Sequence, residues 1–600
     1  MPASPDWARY ARIAGNGLDL EDVPRIVREA ADANACGIEV DNDIPGRYDS
    51  FVDPASKLDA IRALAKAAHA AGHRAFVYIA GTECITANAD KNPHTMLKDH
   101  PDWIQRDRDG KPAVFGGGAA FWIDAGDEDV WITPLCPEWR RLYMDHVRRI
   151  AGSGIDGVYV DIPYWITHFD GWEDSWASFD AFTVGEFRKR TGLDAMKDVK
   201  VGNWSDAGFR KWVGFRVDAI TEFMAEISAT VKAANPECLT IAEIYPGYDE
   251  EALRIGADVW SLYPVVDAIA HEYNPGEGIS AKRTPLGWLR FMAGMHTFRA
   301  FAGGKPSWML AYSWDRQAGI KPRDAMLTLA CAEVMAGCND WDPRGHGMAG
   351  TNDPKARREI FGWIKRYQDI LYSPRAPLTP AGVYFSPSAR LASPGAFTES
   401  YEGLLSLVLQ SHLEFRIITP RNRDAFKGPV LLAPGLTGLA ADERAWLDAL
   451  PARGTRVLDL GAEGRRYLNE LEQGFNRSAG DGRLDAAAEA SRTDLVGRVR
   501  PLLGAPAVEV EAPPWVLASV AEVLGKPRVF LANYRGIRPG KRVAPEPEKG
   551  IRVSFAAPKA TRIRILPFMG TVTDIPAVRK SGRLTAVLPP LERGAIVWCQ

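Results

Sequence analysis

Two carboxylic acids stand where short apolar runs end. In "GIDGVYVDIPYW" (154–165) the run Val158-Tyr159-Val160 finishes in Asp161, and Pro163, Tyr164 and Trp165 follow. In "LTIAEIYPG" (239–247) Ile241-Ala242 leads into Glu243. Each run reads as a buried strand whose side chains alternate between two faces. Tyr159 and Asp161 then share one face. Ile241, Glu243 and Tyr245 share the corresponding face of the other strand. Neighbouring strands lie about 4.8 Å apart, so carboxyls at their ends meet. A carboxyl pair about 5–5.5 Å apart is what glycoside hydrolysis with retention requires. One member attacks or stabilises the anomeric carbon, and the other protonates the leaving oxygen. The acid must keep its proton near neutrality, and Tyr245 and Trp260 are aromatic neighbours that would desolvate it.

A single strand-end carboxylate is often only a cap or an ion-pair partner. The weight here comes from the pair and from the company at other strand ends: Asn16, Asp41 and Asp43, Glu83, Trp314-Asp315 and Asp340-Trp341-Asp342. Asp41, Asp43, Glu83, Trp165, His168, Tyr245, Trp314, Asp315, Asp340 and Asp342 are therefore expected to bind substrate hydroxyls or stack on a sugar ring. His168 and His271 read as polar loop residues. Sixteen of the 19 tryptophans precede residue 370. Trp122, Trp165, Trp172, Trp176, Trp314 and Trp341 sit in polar, glycine-rich stretches, where an exposed indole would suit a sugar face and a buried one the core.

The elements that must position these groups are legible up to about residue 370. Strand-like segments occur at 11–17, 37–43, 74–83, 157–163, 239–247, 257–265, 306–315 and 337–342. Amphipathic helices lie between most of them, as at 57–71 and 209–233, with apolar residues at helical spacing. Gly72 and Asn235-Pro236 mark helix ends. Eight strands alternating with helices over about 340 residues point to a (β/α)8 TIM barrel, whose active sites sit at the C-terminal rim. The rival, a doubly wound open sheet, lacks a G-x-G-x-x-G after its first strand.

Beyond the proline-rich "LYSPRAPLTPAG" (371–382) the pattern changes twice. Strands at 382–386, 414–418, 430–433 and 455–459 with helices at 400–411 and 440–449 make a second α/β unit. From about 506 short alternating runs with Pro and Gly turns make an antiparallel β-sandwich domain. The expected domains are 1–375, 376–505 and 506–600.

Composition bounds the function classes. The 600 residues carry a net charge of −3 with 25% charged residues, so no basic surface for nucleic acid is expected. No apolar run reaches the roughly 18 residues of a membrane span, and the N-terminus reads as lacking a secretory signal. Seven scattered cysteines suit reduced thiols in the cytoplasm. The ten histidines form no His-x-His or metal-ligand cluster. No metal ion or cofactor is expected.

"HPDWIQRDRDGKP" (100–112) and "PLCPEWRRLYMDHVRRIAGSGIDGVYVDIP" (134–163) resemble the hypothetical glycosyl hydrolase family 6, relatives of amylase-like and α-L-fucosidase barrels. The shared hallmark is an Asp-Gly-(three apolar)-Asp strand, here Asp156 to Asp161. The three-part layout resembles family 42 β-galactosidases and family 151 α-L-fucosidases, whose middle domain has a glutamine-amidotransferase-like fold and often mediates oligomers. "GPVLLAPGLTGLAADERAWLDAL" (428–450) resembles that domain. No cysteine occurs between 339 and 598, so an amidotransferase nucleophile is missing. Family 42 enzymes carry Asn-Glu on strand four and a glutamate on strand seven; this chain does not. The resemblance thus implies the amylase and fucosidase type: a retaining exo-glycosidase with Asp161 as nucleophile and Glu243 as acid/base. It implies an α-L-fucoside or other α-glycoside as substrate and a homo-oligomer, dimer or trimer. A β-galactosidase-like enzyme and an inactive sugar-binding or scaffolding barrel are the alternatives.

Overall fold

A computed structural model of the chain describes residues 5–10, 13–41, 44–167, 169–245, 247–273, 286–310, 321–342, 353–378, 381–478, 483–538, 542–557 and 559–600. The chain forms two compact units. The first comprises Met1–Tyr273, Lys305–Leu310 and Trp341–Met348, and the second comprises Asn274–Gly304, Ala311–Asp340 and Ala349–Gln600.

The alternating pattern builds one α/β sheet of eight strands. It opens with β1 (Ile13–Gly17), β2 (Gly37–Asp41) and β3 (Arg74–Ala80). An inserted antiparallel ribbon follows: β4 (Glu83–Thr86), β5 (Val114–Gly116) and β6 (Glu128–Trp131). The sheet resumes with β7 (Gly157–Asp161), β8 (Leu239–Ile244), β9 (Ala268–His271), β10 (Ser307–Leu310) and β11 (Asn339–Trp341). Spatial order follows chain order, and the pairs from β1 to β10 are parallel. Parallel neighbours need crossovers, and helices such as Ala55–Ala70 and Ala207–Ala234 supply them. The second of these buries Phe209, Trp212, Val213, Ile220, Phe223 and Ile227, the apolar stripe read from sequence.

One expected strand is corrected. Residues 257–265 form a short helix, Val259–Leu262, and the sixth strand of the sheet is Ala268–His271. Val259, Trp260 and Tyr263 favour strands by type. The Asp258 side chain instead accepts the Trp260 N–H at 3.3 Å and the Ser261 hydroxyl at 2.9 Å. That cap starts a helical turn, and Val259 and Leu262 bury at i, i+3 spacing.

Strand starts are fixed by a repeated device. Asp156, just before β7, accepts the Ala75 N–H of β3 at 2.8 Å and the Arg74 guanidinium at 3.0 Å. Asp267, just before β9, accepts the Thr240 N–H of β8 at 2.9 Å and pairs with Lys232 at 2.9 Å. The first aspartate of the Asp-Gly hallmark is thus a register pin.

The second unit holds a parallel sheet in the order β13-β12-β14-β15: β12 (Ala381–Tyr384), β13 (Phe415–Ile418), β14 (Val430–Ala433) and β15 (Arg456–Asp459). Helices Pro394–Gln410 and Gly461–Ser478 cross where a Cβ on Gly403 would lie 1.9 Å from the Gly464 carbonyl oxygen. Only glycine allows that approach. The C-terminal strands form two antiparallel sheets over a core that includes Val516, Leu531, Val553, Phe555, Ile563 and Val597. Among the described residues no helix is long and apolar enough to cross a membrane.

Asp156→Ala should destabilise the first unit by about 2–3 kcal/mol, because it leaves a buried N–H and a guanidinium without their acceptor. Asp156→Asn, which keeps one acceptor oxygen, should cost less. Thermal unfolding of the three proteins checks both; equal midpoints would contradict the pin.

Candidate active site

The end of β7 is held by backbone folded back on itself. Register pairs Tyr159 with Ile241 and Val160 with Ala242, so Asp161 and Glu243 come next on adjacent strands. Asp161 Oδ1 accepts the N–H of Ile162 at 2.7 Å. Ile162 takes φ +43°, a left-handed conformation costly for a β-branched residue. On the β3 side, Gly81 donates its N–H to the Asp161 carbonyl at 2.6 Å. A Cβ at Gly81 would sit 2.6 Å from Pro163 Cα and 2.8 Å from that carbonyl oxygen. Thr82 Oγ1 donates to the Tyr164 carbonyl at 2.8 Å. The tight turn after β3 and the strained turn after β7 therefore brace each other.

Side chains complete the frame. The Tyr78 hydroxyl of β3 makes a short hydrogen bond to Asp161 Oδ2, and its ring stacks on Tyr159 with centroids 5.9 Å apart. The Tyr164 hydroxyl donates to the Glu243 carbonyl and accepts the Tyr245 N–H, each at 3.0 Å. Tyr164 thereby ties the β8 end to the loop that leaves β7.

The electrostatics of the two carboxyls differ. Burial raises the pKa of Asp161, but hydrogen bonds from Tyr78, the Ile162 N–H and Glu243 oppose it. Glu243 is 5% exposed; burial and then the charges of Asp161, Glu272 and Glu39 push its pKa well above the carboxylate range. The proton belongs on Glu243 and the charge on Asp161. Groups whose surroundings separate them in this way can act as acid and nucleophile in one reaction.

Of the expected site residues, Asp41, Glu83, Asp161 and Glu243 come together: Asp41 and Glu83 lie within electrostatic reach of Asp161. Tyr245 packs its ring on Tyr164 at 5.7 Å and donates its hydroxyl to Glu251 at 2.6 Å. Trp165 is a correction. It is wholly buried, donates to the Arg216 carbonyl at 3.0 Å and has no face to offer a sugar. Trp172 and Trp176 are also buried. At β11 the ring set against Tyr159, 4.9 Å away, is Trp341. Alternation points Asp340 the other way along the strand, and Asp342 follows the strand's end; both are buried. His271 lies on β9 rather than in a loop, fully buried, 2.9 Å from the Tyr263 hydroxyl and held neutral by burial. Asp43, His168, Trp314 and Asp315 lie outside the described residues.

Sequence reading missed Glu39, Tyr78 and Glu272. Glu39 was within reach: in "GIEVD" it shares a face with Asp41 by simple alternation. Among the described residues no group of three or more His, Cys, Asp or Glu is arranged to hold a metal ion.

Residues 58–270 match the family model described as glycosyl hydrolase-like 10. No curated protein matches the chain in sequence. Among solved structures, α-L-fucosidase isoenzyme 2 from Paenibacillus thiaminolyticus is 14% identical, with 98% of this chain and 99% of that one covered at a TM-score of 0.63. A β-galactosidase from Bacillus circulans sp. alkalophilus is 12% identical, with 98% and 99% covered at 0.65. Gan42B, a GH42 β-galactosidase from G. stearothermophilus, is 10% identical, with 99% and 98% covered at 0.65. The chain thus carries a glycosyl hydrolase-like segment on a TIM-barrel-like fold shared along its length with these glycosidases.

Glu39 gives a pH test of this mouth. Burial, then Asp41 and Asp161, raise its pKa to about 8. An unfolded glutamate titrates near about 4.3. The stability Glu39 contributes is fully present below the unfolded value and is lost as pH rises through the folded one. Glu39→Gln does not titrate. The melting temperature of wild type minus that of Glu39→Gln should therefore fall between about pH 4.3 and pH 8 and level off above that. A constant difference in a scanning-fluorimetry series would contradict the burial of this carboxyl.

Proposed function

We propose that the protein is a retaining exo-glycosidase. The observation that carries this reading is the Asp161–Glu243 pair: register neighbours at the C-terminal ends of adjacent parallel strands, one supplied with hydrogen bonds and the other surrounded by like charge. Asp161 attacks the anomeric carbon while Glu243 gives its proton to the leaving oxygen. Glu243, now ionised, takes a proton from water, which displaces the sugar from Asp161. Tyr78 and the Ile162 N–H hold the Asp161 carboxylate in place for attack. Asp41, Glu83 and Tyr245 contribute to the walls of the pocket.

An α-L-fucoside is the first substrate and another α-glycoside the next. The motif resemblance and the shared fold with an α-L-fucosidase support this choice. A β-galactoside is the second reading, favoured by the likeness to β-galactosidases over the whole chain. The parallel sheet β13-β12-β14-β15 serves as an amidotransferase-like domain without its nucleophile, used for assembly into a dimer or trimer. Seven unpaired cysteines suit a cytoplasmic setting.

A panel of nitrophenyl α- and β-glycosides tests the activity and names the sugar. Asp161→Ala should abolish turnover while the protein stays folded. With azide and an activated substrate it should release a glycosyl azide of inverted configuration, because the anion fills the space of the lost carboxylate. Near-normal kcat in this variant would remove Asp161 as nucleophile.

Glu243→Gln keeps the shape and removes the acid. It should slow a natural glycoside by several orders of magnitude and the glycosylation step on a dinitrophenyl glycoside far less, since a good leaving group departs without a proton. The alkaline limb of the wild-type pH profile should vanish in this variant. Equal slowing of good and poor leaving groups would make Glu243 a binding residue.

A further inference from the structure

The ribbon inserted after β3 brings a second pair of carboxyls to the same mouth. Antiparallel register sets Glu83 opposite Trp131 and Ile85 opposite Asp129. Glu83 and Asp129 are then diagonal neighbours on one face of the ribbon. Two buried carboxyls that act on each other do not readily ionise together, so the pair favours keeping one proton. Burial sustains it, raising both pKa values far above the usual range. Two indoles bracket the pair. Trp131 Nε1 donates to Asp129 Oδ2 at 3.2 Å, and Trp122 Nε1 donates to Glu83 Oε1 at 2.8 Å.

The two ends of this chain differ in access. Asp129 and Trp131 are fully buried. Glu83 and Trp122 are half-buried, and Phe121, set edge-on to Trp122 at 4.9 Å, is 56% exposed. Trp122 sits in the turn that follows the glycine-rich stretch 116–118 rather than in a helix or strand. Asp161 acts on Glu83 electrostatically, so the two carboxyls lie within electrostatic reach of each other. A structural brace would have both carboxyls sealed; here the inner one is locked and the outer one is reachable. A protonated carboxyl pair offers both a donor and an acceptor to a sugar hydroxyl, and an indole offers an apolar face with a polar edge.

We propose that Glu83 reads hydroxyls of the sugar held against Asp161, with Trp122 beside it as the ring's stacking face and Asp129 as the residue that positions Glu83. The ribbon then decides which sugar binds and leaves bond cleavage to Asp161 and Glu243. This inference rests on the glycosidase reading. The titratable and charged groups around Glu83 are Asp129 on the ribbon, Asp161 on β7, Arg47, which itself lies 3.8 Å from Asp127, and the Cys84 thiol next in the chain, which points to the ribbon's other face.

The test uses the full chain and the nitrophenyl glycoside that wild type cleaves best. Glu83→Gln should raise KM about 10–100-fold, the loss of one charge-assisted hydrogen bond, with kcat within about threefold. Trp122→Ala should act in the same direction, and Asp129→Asn more weakly. Wild-type KM should climb from about pH 6 to pH 9 as the pair loses its shared proton, and in Glu83→Gln that climb should be absent. A fall in kcat at constant KM, or no change in either, overturns the proposal. Calorimetric titration of L-fucose and D-galactose into Asp161→Ala, with and without Glu83→Gln, separates this inference from the glycosidase reading. If wild type cleaves no glycoside, that reading fails, and the titration alone decides Glu83: binding abolished by Glu83→Gln supports its role. Unchanged binding, or no binding of either sugar to Asp161→Ala, overturns it.

Discussion

Carboxyl groups crowded together away from water cannot all be ionised, and the mouth of this sheet is arranged around that constraint. Glu39, Glu83, Asp129, Asp161 and Glu243 are all raised above the ordinary carboxylate range by burial. Isolated charges there would cost several kcal/mol each. The structure distributes protons instead. Asp161 is the group best supplied with donors: a tyrosine hydroxyl, a backbone N–H and a protonated neighbour. Glu243 and Glu39 meet mainly like charge and stay neutral. The difference in protonation between Asp161 and Glu243 follows from which of them is given hydrogen bonds.

Those donors must be aimed, and the backbone does the aiming. Ile162 adopts a conformation that a β-branched residue avoids, and this turns its N–H onto the side chain of the residue before it. Gly81 must lack a side chain for the β3 turn to reach the Asp161 carbonyl. Tyr164 then joins β7 to β8 through both ends of its hydroxyl. The aromatic residues that follow Asp161 are therefore clamp and core: Tyr164 fixes the neighbouring strand, and Trp165 packs beneath it.

The same economy of form recurs at the opposite end of the sheet. Asp156 and Asp267 each pin the start of a preceding strand, so register is fixed at that end of the sheet. The Asp-Gly-(three apolar)-Asp pattern thus unites two unlike tasks on one strand. Its first aspartate holds register, and its last stands in the mouth.

By itself the sequence determined the elements whose signal is local. Alternation within five or six residues placed Tyr159 with Asp161 and Ile241 with Glu243 on one face. The 3.6-residue stripe of 209–233 became a helix, and the strand–helix alternation became an eight-stranded sheet, parallel from β1 to β10. Period and burial are set by near neighbours in the chain, so they can be read there. What only the tertiary structure decided depends on distant partners. Val259–Leu262 has strand-like residues, but the Asp258 cap and the helical spacing of its buried faces made it a helix. Trp165 and Trp341 look alike in sequence. One is sealed against the Arg216 carbonyl, and the other faces Tyr159. The proton on Glu243 depends on Glu39 and Glu272, and the pairing of Glu83 with Asp129 depends on the register of an inserted ribbon. Electrostatic energies depend on distance in space and on desolvation, and neither is written in the order of the residues.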